Sequence, residues 1–270
     1  MHLLVFFSLL LGGLTIAQAA DTNPVTLPAK EKLKIYLLMG QSNMAGRGIP
    51  EKEDLTPHAR VLLFTQSNQW QVAVEPFRHN EKGKIPGVGP GLAFGKAMAE
   101  TNSDVVIGLV PCAVGGTPLR RWVPGADLYT NAIARAKAVA PFGTLSGIIW
   151  HQGEGDAGTN TTASTYSERL TNMIHSLRKD LNAPNLPFVV GEIGEFCYDR
   201  PGDPLPFARV VNEALRKIPE KVPFTGCALS HGLRDKGDLL HFSSEAQREL
   251  GRRYAVEMLK VQGSLRSHSQ

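Results

Sequence analysis

Short apolar runs alternate with amphipathic stretches along most of this chain, and that alternation limits the folds open to it. Leu33–Met39, Val105–Val110, Leu145–Trp150, Phe188–Val190 and Phe224–Leu229 are short and largely apolar, with β-branched residues in several. Such runs suit strands buried on both faces. Between them, Leu92–Glu100, Leu128–Ala140, Tyr166–Leu181, Phe207–Ile218 and Glu245–Leu259 carry apolar residues three and four apart, the spacing of amphipathic helices. Strands separated by helices predict a parallel α/β sheet of about five strands covered on both faces. Val61–Phe64 and Trp70–Val74, separated by turn residues, read as a small hairpin inserted after the first strand.

The first twenty of the 270 residues stand apart. They hold no Asp, Glu, Lys or Arg, Leu3–Leu11 is almost wholly apolar, and Ala17-Gln18-Ala19 is an A-x-A cleavage signature. Residues 1–19 therefore read as a secretory signal peptide, with an uncleaved anchor as the alternative. Cleavage leaves 251 residues, 270 minus 19, enough for one α/β domain with a sizeable core. Residues 20–32 read as a linker, 33–262 as the domain and 263–270 as a C-terminal tail. No later segment has the apolar length of a membrane span, so no membrane contact is expected after cleavage. A net charge of +4, with no basic block interleaved with aromatics, gives no sign of a nucleic-acid surface. Cys112, Cys197 and Cys227 are odd in number and form no C-x-x-C, so they are read as buried small apolar residues. Oligomeric state is not legible.

In open α/β sheets ligands bind at the carboxyl ends of the strands, and four chemically rich segments fall there or just before the last helix. Gly40-Gln41-Ser42-Asn43 follows the first strand, where a serine on a tight turn can be presented as a nucleophile, although such a Ser-Asn pair more often caps a helix. Pro111–Thr117 contains Gly115-Gly116, a turn or a place for a backbone N–H to reach a ligand. Trp150–Asp156 offers the Gln152 amide as a donor. His151, Glu154 and Asp156 also permit a metal-ligand reading, and Glu154 with Asp156 a glycosidase pair, but a loop-stabilising role suits these acids better. Asp238-Leu239-Leu240-His241 lets a carboxylate orient an imidazole if the loop turns back, with Asp235 and His231 as competitors.

Taken together, GQSNMAGRG (40–48), GVGPGLAF (87–94), VPCAVGGTPLRRW (110–122), WHQGEGD (150–156) and DLLHFSSEAQRELGRRYA (238–255) resemble the SGNH (GDSL-like) hydrolases. Within them they resemble the sialate O-acetylesterase and acetylxylan esterase domain of carbohydrate esterase family six. The resemblance runs over about residues 33–260. It implies a three-layer α/β/α, flavodoxin-like fold and a serine esterase that removes O-acetyl groups from carbohydrates through an acetyl-enzyme, with no cofactor and no metal. Carried over by position, Ser42 is the nucleophile, His241 the base and then acid, and Asp238 its orienting partner. The Ser42 N–H, Gly115 or Gly116, and Gln152 form the oxyanion hole. Gln152 stands in for the asparagine of the wider superfamily. Gln41, Asn43, Arg47, Arg121 and Trp122 are expected to meet the acetylated carbohydrate, with Glu154 and Asp156 behind them. Activity is expected to fall around pH 6–7 if His241 titrates near the reference of about 6.5. The rivals are a non-catalytic carbohydrate-binding domain on this fold and a lipase or peptidase of the same superfamily.

Overall fold

The computed structural model describes residues 25–268 except 80, 82, 199–201 and 203. The signal peptide expected over residues 1–19 lies outside them. In chain order the elements are β1 (Leu33–Gly40), α1 (Ser42–Ala45), β2 (Val61–Phe64), β3 (Trp70–Val72), α2 (Gly91–Glu100), β4 (Val106–Pro111), α3 (Asp127–Val139), β5 (Thr144–His151), α4 (Asn160–Ser164), α5 (Tyr166–Asp180), β6 (Phe188–Gly191), α6 (Ala208–Arg216), α7 (Ile218–Lys221), β7 (Thr225–Ala228) and α8 (Ser244–His268). Each of the five apolar runs is a strand, and each of the five amphipathic stretches holds a helix.

The strands form one sheet in the order β3-β2-β4-β1-β5-β6-β7. All neighbours are parallel except β2 with β3. Seven strands replace the expected five because the hairpin is no separate insert. The whole of β2 is buried and pairs with β4 in the register Val61↔Ile107, so the hairpin extends the sheet and β3 closes its edge. The expected tail is also corrected: α8 runs on to His268.

Alternation within the apolar runs divides the core into two layers. Leu33, Ile35, Leu37 and Met39 of β1, with Ile148 and Trp150 of β5 and Phe188 and Val190 of β6, pack under α3, α5 and α6. Tyr36, Leu38, Ile149 and Val189 point the other way, against α2 and α8. The continuous apolar strands are thus the sequence signature of a sheet covered on both sides.

The central strand β1 lies between β4 and β5. The chain builds outward from it first through β2 and β4 on one side, then through β5, β6 and β7 on the other. The carboxyl end of β1 is therefore where the strand order reverses, the place at which such sheets bind ligands. Ser42 is two residues beyond that end. Cys112 and Cys197 are buried and Cys227 is half-buried, in keeping with their reading as small apolar residues.

Candidate active site

Ser42 is set by a close fit at the tips of β1 and β5. The Gln41 N–H donates to His151 O over 2.8 Å, and Val114 N–H donates to Gly40 O over 3.0 Å, tying three strand ends together. Gly40 has φ +131°, and a Cβ there would run into the His151 backbone, so only glycine lets the strands meet this closely. The chain then enters α1 at Ser42. First-turn N–H groups have no preceding carbonyl in their own helix, so the Ser42 N–H has no intrahelical acceptor.

The segment carrying Asp238 and His241 does turn back. Asp235 Oδ2 accepts from the N–H groups of Gly237 and Leu239 at 2.8 and 2.7 Å, and Lys236 N–H donates to His241 O at 2.9 Å. Leu239 takes φ +54° inside this turn. Asp235 is therefore a turn-former, and His231, exposed and facing Glu195, is no competitor.

The result is a continuous relay. His241 Nε2 lies 3.1 Å from Ser42 Oγ, and His241 Nδ1 lies 2.8 Å from Asp238 Oδ2. Asp238 Oδ1 accepts from the N–H groups of Leu240 and His241. Partial burial works against the Asp238 carboxylate, but the His241 ring and these two N–H groups outweigh it and hold its pKa at about 2. The His241 pKa is lowered, first by burial, against the opposing pull of Asp238. A neutral imidazole between a hydroxyl and a fixed carboxylate is equipped to take a proton from Ser42.

Of the two glycines, Gly115 faces Ser42. A Cβ on it would lie 3.3 Å from Ser42 Cβ, whereas one on Gly116 would meet nothing within 4 Å. The Gly115 N–H donates to Glu81 Oε1, which also receives Arg47 Nη2 at 2.7 Å. Glu81 was not singled out from sequence, since an acid in an irregular segment carries no pattern. His79, two residues earlier, is buried and accepts from the Ala113 N–H at 3.0 Å, anchoring the same segment. Burial pushes its pKa down to about 3.

Other expectations change. Gln152 is fully buried, and its amide donates to Asp156 Oδ2 (2.8 Å) and Thr117 O (3.2 Å). Its Oε1 lies 2.9 Å from the Tyr166 hydroxyl. Both N–H donors are thus engaged, and in this arrangement Gln152 supports the loop and offers no oxyanion donor. Trp122 is also fully buried, edge-on to Trp150 and bonded to Thr117 Oγ1, so it packs the core and cannot stack on a sugar. Arg121 pairs with Asp127 on the exposed surface. Asn43 has no exposed surface and is a structural link. Gln41 is nearly buried, and its Oε1 accepts from the Gly155 N–H at 3.1 Å.

The acids behind the site do not converge on a common point. Glu154 Oε1 accepts from Asn43 Nδ2 at 2.6 Å, while Asp156 accepts from Leu119 N–H, Gln152 and Arg169. His151 turns to Tyr254. This divergence fits the loop-stabilising reading over a metal or glycosidase one.

Residues 32–260 match the family described as carbohydrate esterase, sialic acid-specific acetylesterase. The chain belongs to that family. It is 35% identical over 239 residues to the Arabidopsis thaliana protein named "Probable carbohydrate esterase At4g34215", covering 81% of this chain and 87% of that one. The X-ray structure of the Arabidopsis protein superposes with a TM-score of 0.76 at 33% identity, over 84% of this chain and 98% of that chain. Two further structures share the fold. NanS gives a TM-score of 0.68 at 16% identity, over 88% of this chain and all of that one. XAC1771, described as a carbohydrate acetylesterase from Xanthomonas citri, gives 0.65 at 23% identity, over 84% of this chain and 56% of that one. As a member of a carbohydrate esterase family, this chain is a hydrolase of the SGNH type acting on carbohydrate esters.

Proposed function

We propose that this carbohydrate esterase removes O-acetyl groups by a serine mechanism. The observation that carries this is the relay from Ser42 Oγ through His241 to Asp238, at 3.1 and 2.8 Å. His241 Nε2 takes the Ser42 proton as Oγ attacks the acetyl carbonyl. The resulting oxyanion lies toward the Ser42 N–H and the Gly115 N–H, the latter once the Glu81 carboxylate has moved off it. The sugar oxygen leaves with the proton from His241. Water then attacks the acetyl-enzyme with His241 as base, and acetate departs as Ser42 recovers its proton. Asp238 holds the Nδ1–H tautomer and supports the imidazolium formed in each step.

The charge-free N-terminal stretch and its A-x-A signature support export, so acetylated carbohydrate would be met in the periplasm or outside the cell. No helix among the described residues is long and apolar enough to cross a membrane.

The test is acetate release from p-nitrophenyl acetate, acetylated xylan, acetylated sialosides and acetylated pectin, by the parent and by Ser42→Ala. Release that depends on Ser42 is the expected result. Sugar binding without Ser42-dependent release would favour a binding domain, and faster cleavage of long-chain acyl esters would favour a lipase.

A further inference from the structure

Glu81 places a negative charge beside the nucleophile. Its Oε1 accepts from the Gly115 N–H and from Arg47 Nη2, and its side chain is only 7% exposed. A Cβ on Gly115 would run into the Arg47 guanidinium and the Glu81 carboxylate as well as approaching Ser42 Cβ. One arm of the Arg47 guanidinium, its other arm donating to Gly46 O at 2.6 Å, and the Gly115 N–H converge on one oxygen and make a carboxylate receptor. Here the chain occupies that receptor with its own side chain.

Two kinds of sugar ester meet this arrangement differently. A neutral O-acetyl sugar needs the Ser42 and Gly115 N–H groups for its developing oxyanion and asks nothing of the Arg47 guanidinium, so Glu81 has only the Gly115 N–H to yield. A sugar bearing a carboxylate brings a second negative charge. The guanidinium suited to receive it is already neutralised by a tethered competitor, and like charges in a half-buried cleft repel. Two further cations, Lys236 and Arg121, are paired with Asp238 at 3.6 Å and with Asp127.

We propose that Glu81 is a specificity-determining residue. By filling the receptor formed by Arg47 and Gly115, it turns the site toward neutral O-acetyl sugars and against those that carry a carboxylate. This rests on the esterase reading above and narrows its substrate class, in the direction opposite to the family's description.

The experiment compares kcat/KM for an O-acetylated sialic acid and an acetylated xylo-oligosaccharide in the parent, Glu81→Gln and Glu81→Ala. The acidic-to-neutral ratio should rise about five- to tenfold in both variants, the size of one like-charge contact at 4–5 Å in a solvated cleft. An unchanged ratio in both overturns the proposal. A second readout is independent of turnover. In a Ser42→Ala background, adding Glu81→Gln should tighten binding of free sialic acid relative to its methyl ester by a similar factor, and unchanged relative binding again overturns it. If the parent shows no Ser42-dependent release from p-nitrophenyl acetate, the esterase reading fails, and the binding comparison still decides the role of Glu81.

Discussion

Asn43 Nδ2 donates to Glu154 Oε1 over 2.6 Å in a buried contact that joins the residue after Ser42 to the loop after β5. The same Asn43 side chain donates to Leu240 O and accepts from Phe242 N–H, each at 3.1 Å. The two residues flanking His241 are therefore pinned to the neighbour of Ser42, and the Ser42–His241 distance follows from one amide.

Asn43→Ala removes all of these bonds and strands a buried carboxylate. The expected loss of stability is about 2–4 kcal/mol, the range for orphaned buried polar groups, with a fall in kcat larger than any change in KM. Urea unfolding and steady-state kinetics check this. Unaltered stability would show that Asn43 does not join the loops.

Glu154 makes stability depend on pH. Burial pushes its pKa from 4.5 to about 7, only partly offset by its hydrogen bonds. A folded-state pKa above the unfolded value means the native protein keeps a proton that the unfolded chain releases. This contribution is therefore full below about pH 4.5 and is lost as pH rises toward 7. Glu154→Gln removes that loss. Its stability relative to the parent should climb through pH 4.5–7 by up to roughly 3 kcal/mol, at 1.36 kcal/mol per unit, and then level off. A constant difference across that window would mean Glu154 does not titrate there.

Much of this architecture was legible because its signals are local. The apolar runs at β1, β4, β5, β6 and β7 needed only length and composition, and Ser42, Gly115, Asp238 and His241 lie in compact motifs. What local reading missed depends on contacts between distant segments. The hairpin became sheet because β2 meets β4, which nothing within Val61–Phe64 specifies. Trp122 and Gln152 had the right chemistry for a sugar platform and an oxyanion donor, but burial against Trp150, Thr117 and Asp156 decides otherwise. Glu81 reaches Gly115 across 34 positions, with no periodicity to announce it.

The acid limb of kcat/KM should fall below pH 6.5. Burial lowers the His241 pKa, Asp238 pulls it back up, and the charges of Arg47 and Lys236 lower it further. Neutral His241 is the form that accepts the Ser42 proton, so activity persists to a lower pH than an unperturbed imidazole would allow. Asp238→Asn removes the raising partner and should shift the limb to still lower pH. It should also cost about 10⁴ in kcat, as loss of the orienting carboxylate does in the Ser-His-Asp template. A limb centred above pH 6.5 in the parent, or one that moves upward in Asp238→Asn, would contradict the relay.

Gln152 separates two origins for a loss of activity. With both amide hydrogens on Thr117 O and Asp156 Oδ2, and its oxygen beside the Tyr166 hydroxyl, the side chain ties three segments together under the site. Gln152→Ala would leave those groups short of partners and open a cavity, at an expected cost of about 2–4 kcal/mol. Activity should decline together with the unfolding midpoint, because the Gly115 loop and the Asp156 turn loosen. A pure oxyanion donor would behave differently, losing about 100- to 1000-fold in kcat with the unfolding midpoint unmoved. Thermal unfolding and kcat measured on the same preparation distinguish the two. An unmoved midpoint with that loss of rate would return Gln152 to the oxyanion hole.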